Sequence, residues 1–199
     1  MGWSFSIPFF VVIFTLTIKI MDKPITFNDL VETAPSTVKI KLFSNMSLRE
    51  RPDFHPEASA FEHIKIVTER LIPTGDMNLV FAGIFHDICK ADTAKTNPKT
   101  GWPTCPGHDV KAFDFIMEFP TVQTWIKSNG GDPTTVAHIC LNHMRFHQLG
   151  NMRDTKREAH IQKWKDQGIW DSLQIFGAAD NMLADFDIDN LDKSWKFNR

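Results

Sequence analysis

Seven consecutive apolar residues, Leu79 through Phe85, are followed directly by His86 and Asp87. The wider stretch from Leu79 to Ile88 is apolar around most of a helical circumference, so the pattern predicts a central, buried helix with other helices packed about it. An imidazole and a carboxylate leaving such a helix together offer mixed nitrogen and oxygen ligands to a divalent cation, with dry walls that limit competing water. The His86-Asp87 dipeptide is therefore expected at the centre of function.

A chain of 199 residues with 42% hydrophobic content can close a substantial core as one domain. Its formal charge of −2 and pI near 6.4 give no general attraction for nucleic acid or anionic lipid, so phosphate binding has to come from a few placed side chains. Cys89, Cys105 and Cys140 are odd in number and form no CxxC pair, which fits a reducing, cytoplasmic setting rather than a disulfide framework. Histidine is the telling residue: seven of the eight lie between positions 55 and 147.

Residues 1–20 stand apart from residues 21–199, which read as the domain. The segment from Ile7 to Ile18 is almost entirely apolar, yet shorter than the ~20 residues a spanning helix needs. It lacks a preceding basic residue and a small-residue cleavage site, which argues against a secretory signal. Three readings stand: a nonessential extension upstream of a second start at Met21, a membrane-associated anchor, or an element packed on the domain.

Helical signals dominate the rest, and no useful strand alternation follows residue 45. Ser59 with Glu62 has the capping-box form before Phe61, Ile64, Val67 and Leu71, which puts His63 in a first helical turn. Asp76 caps the buried helix. Ala91 to Gly107, rich in Pro and Gly, reads as a long loop over a site. His108 opens a helix with an expected apolar stripe of Val110, Phe113 and Ile116. Gly130-Gly131 ends another helix, and Asp132-Pro133 starts the next, with Val136, Ile139 and Cys140 buried and His143 and His147 sharing a face. A charged surface helix from Arg153 to Gln167 turns Ile161 and Trp164 inward. The last helix, Trp170 to Leu183, carries Leu173, Phe176 and Ala179 inward beside Asp180. The expected architecture is a single all-α bundle.

In chain order the candidates are His63, His86-Asp87, His108, His143 and Asp180. With the words HPEASAFEH, FAGIFHDICK, GHDVKAF and LNHMRFH, this order resembles the HD superfamily of metal-dependent phosphohydrolases, and in particular the HD domain of bacterial CCA-adding tRNA nucleotidyltransferases and its stand-alone relatives. The resemblance covers about residues 51 to 185. It departs at Cys89, commonly Gly in the family, and no nucleotidyltransferase head precedes the domain, so nucleotide addition to tRNA is not implied. The resemblance implies one or two divalent ions (manganese, nickel, cobalt, magnesium or iron), with His63, His86, Asp87 and Asp180 around the first and His108 and His143 beside the second, Asp87 shared between them. His138 is a rival to His143, five residues earlier on a different face.

Lys90 follows the dipeptide where relatives also carry Lys, and a fixed cation there stabilises charge growing on phosphoryl oxygens. Asp87 and Lys90 are thus the catalytic candidates, and Lys90, Arg145 and His147 the substrate-binding ones. Arg70 is a weaker candidate for the same work, while His55 and Glu57 either shape the pocket rim or tie down a loop. Asp185, Asp187, Asp189 and Asp192 suggest calcium, but the EF-hand glycine is missing and Lys196 stands at the twelfth position. The expected activity is hydrolysis of a phosphomonoester or phosphodiester of a nucleotide, a 2′,3′-cyclic phosphate or an RNA terminus. The alternatives are a noncatalytic nucleotide- or RNA-binding module and a di-iron oxygenase, the latter disfavoured because the chain has no Tyr.

Overall fold

The computed structural model describes residues 25–53 and 55–181, and within them the chain is a helical bundle. The helices are α1 (Phe27–Thr33), α2 (Ser36–Ser44), α3 (Ala60–Leu71), α4 (Met77–Phe85), α5 (Lys90–Thr93), α6 (His108–Glu118), α7 (Pro120–Ser128), α8 (Pro133–His147), α9 (Asp154–Asp166) and α10 (Trp170–Asp180). The apolar extension, the carboxy-terminal aspartates and the expected end of the last helix at Leu183 lie outside the described residues. Among the described residues no helix is long and apolar enough to cross a membrane.

Helix α4 is the axis of the bundle. Every residue from Leu79 to Phe85 is buried, and α3, α8 and α10 pack around it. Fully burying each of its large side chains contributes about 1.5–3 kcal/mol of apolar transfer free energy, so this run drives assembly. Two glycines set how closely the layers meet. A Cβ on Gly83 would lie 2.9 Å from Thr68 Cα, so α3 and α4 touch backbone to backbone; one on Gly177 would lie 2.3 Å from Phe146 Cε1, so α10 sits tightly on α8.

Local chemistry starts the helices where the sequence signals place them. The Ser59 hydroxyl accepts from Glu62 N at 3.3 Å, Asp76 accepts from Asn78 N at 2.8 Å, and Asp132 accepts from Thr135 N at 2.9 Å. Helix α9 turns its charged face outward and buries Trp164, whose indole N–H donates to Asn142 Oδ1 at 2.9 Å.

Three expectations are corrected. The helix expected to run from Leu79 to Ile88 stops at Phe85, and tight turns at Ile88 and Lys90 follow. Buried Asn45 fixes that break: its amide donates to Ile88 O at 2.9 Å and its carbonyl accepts from Ala91 N at 3.0 Å. The segment from Ala91 to Gly107 is not all loop, since α5 occupies its start and Lys95–Thr96 pairs with Pro103–Thr104 as an antiparallel ribbon. On α6 the buried face is His108, Ala112, Phe115 and Ile116, while Val110 is 48% exposed. Turning His108 toward Asp87 rotates the helix, which takes Val110 into water and leaves Phe113 against the His138 ring at 5.4 Å.

Candidate metal centre

The end of α4 delivers His86 and Asp87 into the space between α3, α6, α8 and α10, and each of those helices contributes side chains to it. His63 comes from the first turn of α3, His108 from the first turn of α6, His143 from one turn before the end of α8 and Asp180 from the last residue of α10. All six side chains are buried.

The two oxygens of Asp87 face different neighbours. Oδ2 lies 3.1 Å from His86 Nε2 and 3.5 Å from His63 Nε2, and Asp180 Oδ1 closes that group at 2.8 Å from His63 Nε2 and 3.5 Å from His86 Nε2. Oδ1 lies 3.0 Å from His108 Nε2 and 3.7 Å from His143 Nε2, and those two nitrogens are 3.3 Å apart. The sets His63–His86–Asp180 and Asp87–His108–His143 each bring their ligand atoms within 4.8 Å of one another.

The outer nitrogens fix what the inner ones present. Nδ1–H donates to Gly83 O at 2.9 Å in His86, to Cys105 O at 2.6 Å in His108 and to Cys140 O at 2.6 Å in His143. His63 Nδ1 instead faces the Glu57 carboxylate at 2.5 Å. The three carbonyl contacts place a proton on Nδ1 of His86, His108 and His143 and turn their Nε2 inward, the arrangement that orients metal-ligating imidazoles. Lone pairs aimed at one another and at carboxylate oxygens repel unless a proton or a cation sits between them. His86 Nε2 and Asp87 Oδ1 are buried with no hydrogen-bond partner. A proton serves one such gap, whereas a divalent cation satisfies several at once, so the donor set fits an ion.

Charge follows the same logic. Burial by itself would raise Asp87 and Asp180, but His86 with Lys90 around the first, and His86, His147 and His63 around the second, hold both well below the usual carboxylate range. Burial likewise opposes a charged His63, yet Asp180 and Glu57 together lift it to about 10. Glu57, despite burial, is pulled down to about 2 by His55 and His63. Within the second group, burial depresses His143, while Asp87 outweighs burial and raises His108.

Lys90 sits inside the wall, its Nζ 2.7 Å from Asp87 Oδ2 and 2.5 Å from Glu50 Oε1. His147, one turn after His143, reaches Asp180 Oδ2 at 2.7 Å and is partly exposed to the pocket. A pocket of about 600 Å³ opens over these groups, and Pro103, Thr104, Cys105 and Pro106 of the covering segment form one side of it. Arg145 is exposed on the outer side of α8 and is not among the residues lining the pocket. His138 also lies away, so His143 is the member of that pair that meets Asp87. His55 lines the pocket and its Nδ1 meets Glu57 Oε1 at 3.0 Å. Arg70 Nη1 donates to Ala179 O at 3.0 Å and Asn181 O at 3.1 Å, holding the end of α10 that carries Asp180. Glu50 was not visible in the sequence, because it lies in an irregular segment with no periodicity to mark it.

Comparisons with protein-family models, with curated proteins and with solved structures find no match to this chain.

Proposed function

We propose that this chain is a metal-dependent phosphohydrolase of the HD type, acting on a phosphomonoester or phosphodiester. One observation carries the reading: Asp87 turns one oxygen to His63 and His86, the two imidazoles that Asp180 also meets, and the other to His108 and His143, so a single carboxylate stands between two donor sets. The ordered sequence words that resemble the HD superfamily supply the same residues.

His63, His86, Asp87 and Asp180 would hold one divalent ion, and Asp87, His108 and His143 a second. Ions bound there lower the pKa of water and neutralise phosphoryl oxygens. The protein's own contribution is positional. The carbonyls of Gly83, Cys105 and Cys140 and the Glu57 carboxylate lock the four rings. Lys90, held charged because Asp87 and Glu50 overcome the effect of burial, steadies Asp87 and keeps one of its three N–H donors for a substrate oxygen. His147 steadies Asp180 from the pocket side.

The test is elemental analysis of the purified full-length protein, joined to a phosphatase and phosphodiesterase screen with added manganese, nickel, cobalt and magnesium. Bound metal and turnover are expected, and Asp87→Ala abolishes turnover while helical circular dichroism stays nearly intact. Retained turnover in that variant overturns the proposal. Metal without turnover favours a noncatalytic nucleotide-binding module, and redox-active iron with oxygen consumption favours an oxygenase.

A further inference from the structure

We infer that α8 and α9 carry a second anion-binding surface, made by Arg145, Lys156, His160 and Lys163, that holds the backbone and a base of a single-stranded nucleic acid whose end enters the pocket. The role of that strand as substrate rests on the phosphohydrolase reading, to which it adds a substrate class; binding of the strand does not.

Lys156, His160 and Lys163 follow one another along α9 at steps of four and three residues, so they share one face of that helix. Partial burial first, and then Arg145 of α8 with Lys156 and Lys163, lower the pKa of His160, so three cations from two helices stand around one imidazole. All three are exposed, and among the described residues no carboxylate pairs with any of them. The acids of α9 are turned elsewhere. Asp154 binds Arg157 at 2.5 Å, Asp166 accepts from Gln162 at 2.7 Å, and Glu158, two residues before His160, stands about 160° away around the helix. Like charges gathered on one face repel, and a run of phosphates relieves them together.

The imidazole decides what kind of polyanion fits. His160 is half-buried, with its ring stacked on Trp164 at 5.6 Å between centroids and 28° between planes, and Trp164 is fixed in turn by Asn142 and by Trp170 at 6.1 Å. A ring held in place among cations offers a π-face to a base and countercharge to the phosphates beside it, the combination that holds single strands. A lipid surface asks for large apolar side chains exposed beside the cations, and none of those the chain exposes lies on α9. The way to the candidate centre is short. Met144 lines the pocket and Arg145 is the next residue of the same helix, so the surface begins around the outside of α8, about 10 Å away, the width of a helix. A strand of a few nucleotides covers that distance, which gives Arg145 a role although it lies outside the pocket.

The experiment uses full-length protein as purified, with no metal added, and a fluorescent single-stranded RNA of about ten nucleotides. Anisotropy gives Kd across a salt series, a gel confirms that the probe stays intact, and a nucleoside monophosphate serves as competitor. Three phosphate contacts on a single strand predict that log Kd rises with log salt at a slope of about 2, so a fourfold increase in salt weakens binding roughly 20-fold. The triple variant Arg145→Gln, Lys156→Gln, Lys163→Gln flattens that slope toward zero and weakens binding at low salt by about tenfold or more; if it fails to fold, each single substitution lowers the slope by about 0.7. His160→Ala weakens binding roughly 5–100-fold with the slope retained, and His160→Phe, which keeps a ring, restores it. With manganese added, the triple variant loses the preference of the parent for an oligonucleotide over a mononucleotide through KM rather than kcat. Parent affinity for the RNA no tighter than for the monophosphate, or a salt slope unchanged in the variants, overturns the inference, even where mononucleotides are hydrolysed. Binding to vesicles of phosphatidylserine and phosphatidylcholine in place of RNA overturns it as well, because the cations then serve a lipid surface. The expected slopes without hydrolysis of any phosphate ester leave the surface standing and overturn the phosphohydrolase reading.

Discussion

Gly177→Ala tests whether the seating of α10 on α8 is what brings Asp180 to the histidines. The added Cβ would stand 2.3 Å from Phe146 Cε1 and 2.6 Å from Cδ1, both well inside ordinary contact, which begins at 3.4 Å. Phe146 is itself buried, so its ring has little room to retreat and α10 has to move outward. Asp180 lies three residues further along the same helix and shares that face, so its carboxylate travels with it. Metal ligand distances tolerate only about 0.2 Å of error, far less than the displacement required. Overpacking costs about 1–3 kcal/mol, and losing ligand orientation lowers metal affinity by about 10–100-fold. Thermal melting with and without manganese, together with calorimetric metal titration, reads both effects. The double variant Gly177→Ala with Phe146→Leu opens the space again and is expected to regain metal affinity. Parent-like affinity in the single variant refutes the reasoning, because it means that Asp180 is not positioned by this contact.

Two further outcomes follow from the same geometry. Asp180 and Glu57 outweigh burial and raise the His63 pKa from 6.5 to about 10, so its stabilising contribution is complete below pH 6.5 and lost as pH rises through about 10. An ion on Nε2 displaces that proton, so apparent metal affinity rises about tenfold per pH unit below that limit; calorimetry in buffers of differing ionisation enthalpy should find about one proton released per ion at pH 8, and a flat profile contradicts the assignment. Arg70→Gln removes the guanidinium donors to Ala179 O and Asn181 O. It is expected to weaken metal binding about tenfold with little change in circular dichroism, and an unaltered titration would remove Arg70 from the supports of Asp180.

Much of this arrangement was legible in the amino-acid order, and for identifiable reasons. A fully apolar run leaves a helix no solvent face, so α4 could only be central. Ser59, Asp76 and Asp132 signal helix starts through local hydrogen bonds that depend on no distant residue. The imidazoles were legible because they recur in a fixed order, and the structure gathers His63, His86, His108 and His143 about Asp87 and Asp180. What escaped depends on distant pairing. Asn45 stops the central helix early by reaching across to Ile88 and Ala91. Glu50 gains meaning only beside Lys90, and Arg70 only beside the end of α10. The expected α6 stripe failed because Val110, Phe113 and Ile116 satisfy helical periodicity as well as the true face does, and only His108's need to meet Asp87 decides between them. Arg145 shares α8 with two inward histidines, but its position in the turn directs it outward.

The contact between His63 and Asp180 joins residues 117 positions apart. Loop closure of that length is slow relative to local helix formation, so the bundle around α4 can form while α10 is still undocked. During synthesis Asp180 emerges long after His63. The cluster therefore reports on complete assembly, and a chain cut before α10 would keep much of its helix content while lacking the group that finishes the centre.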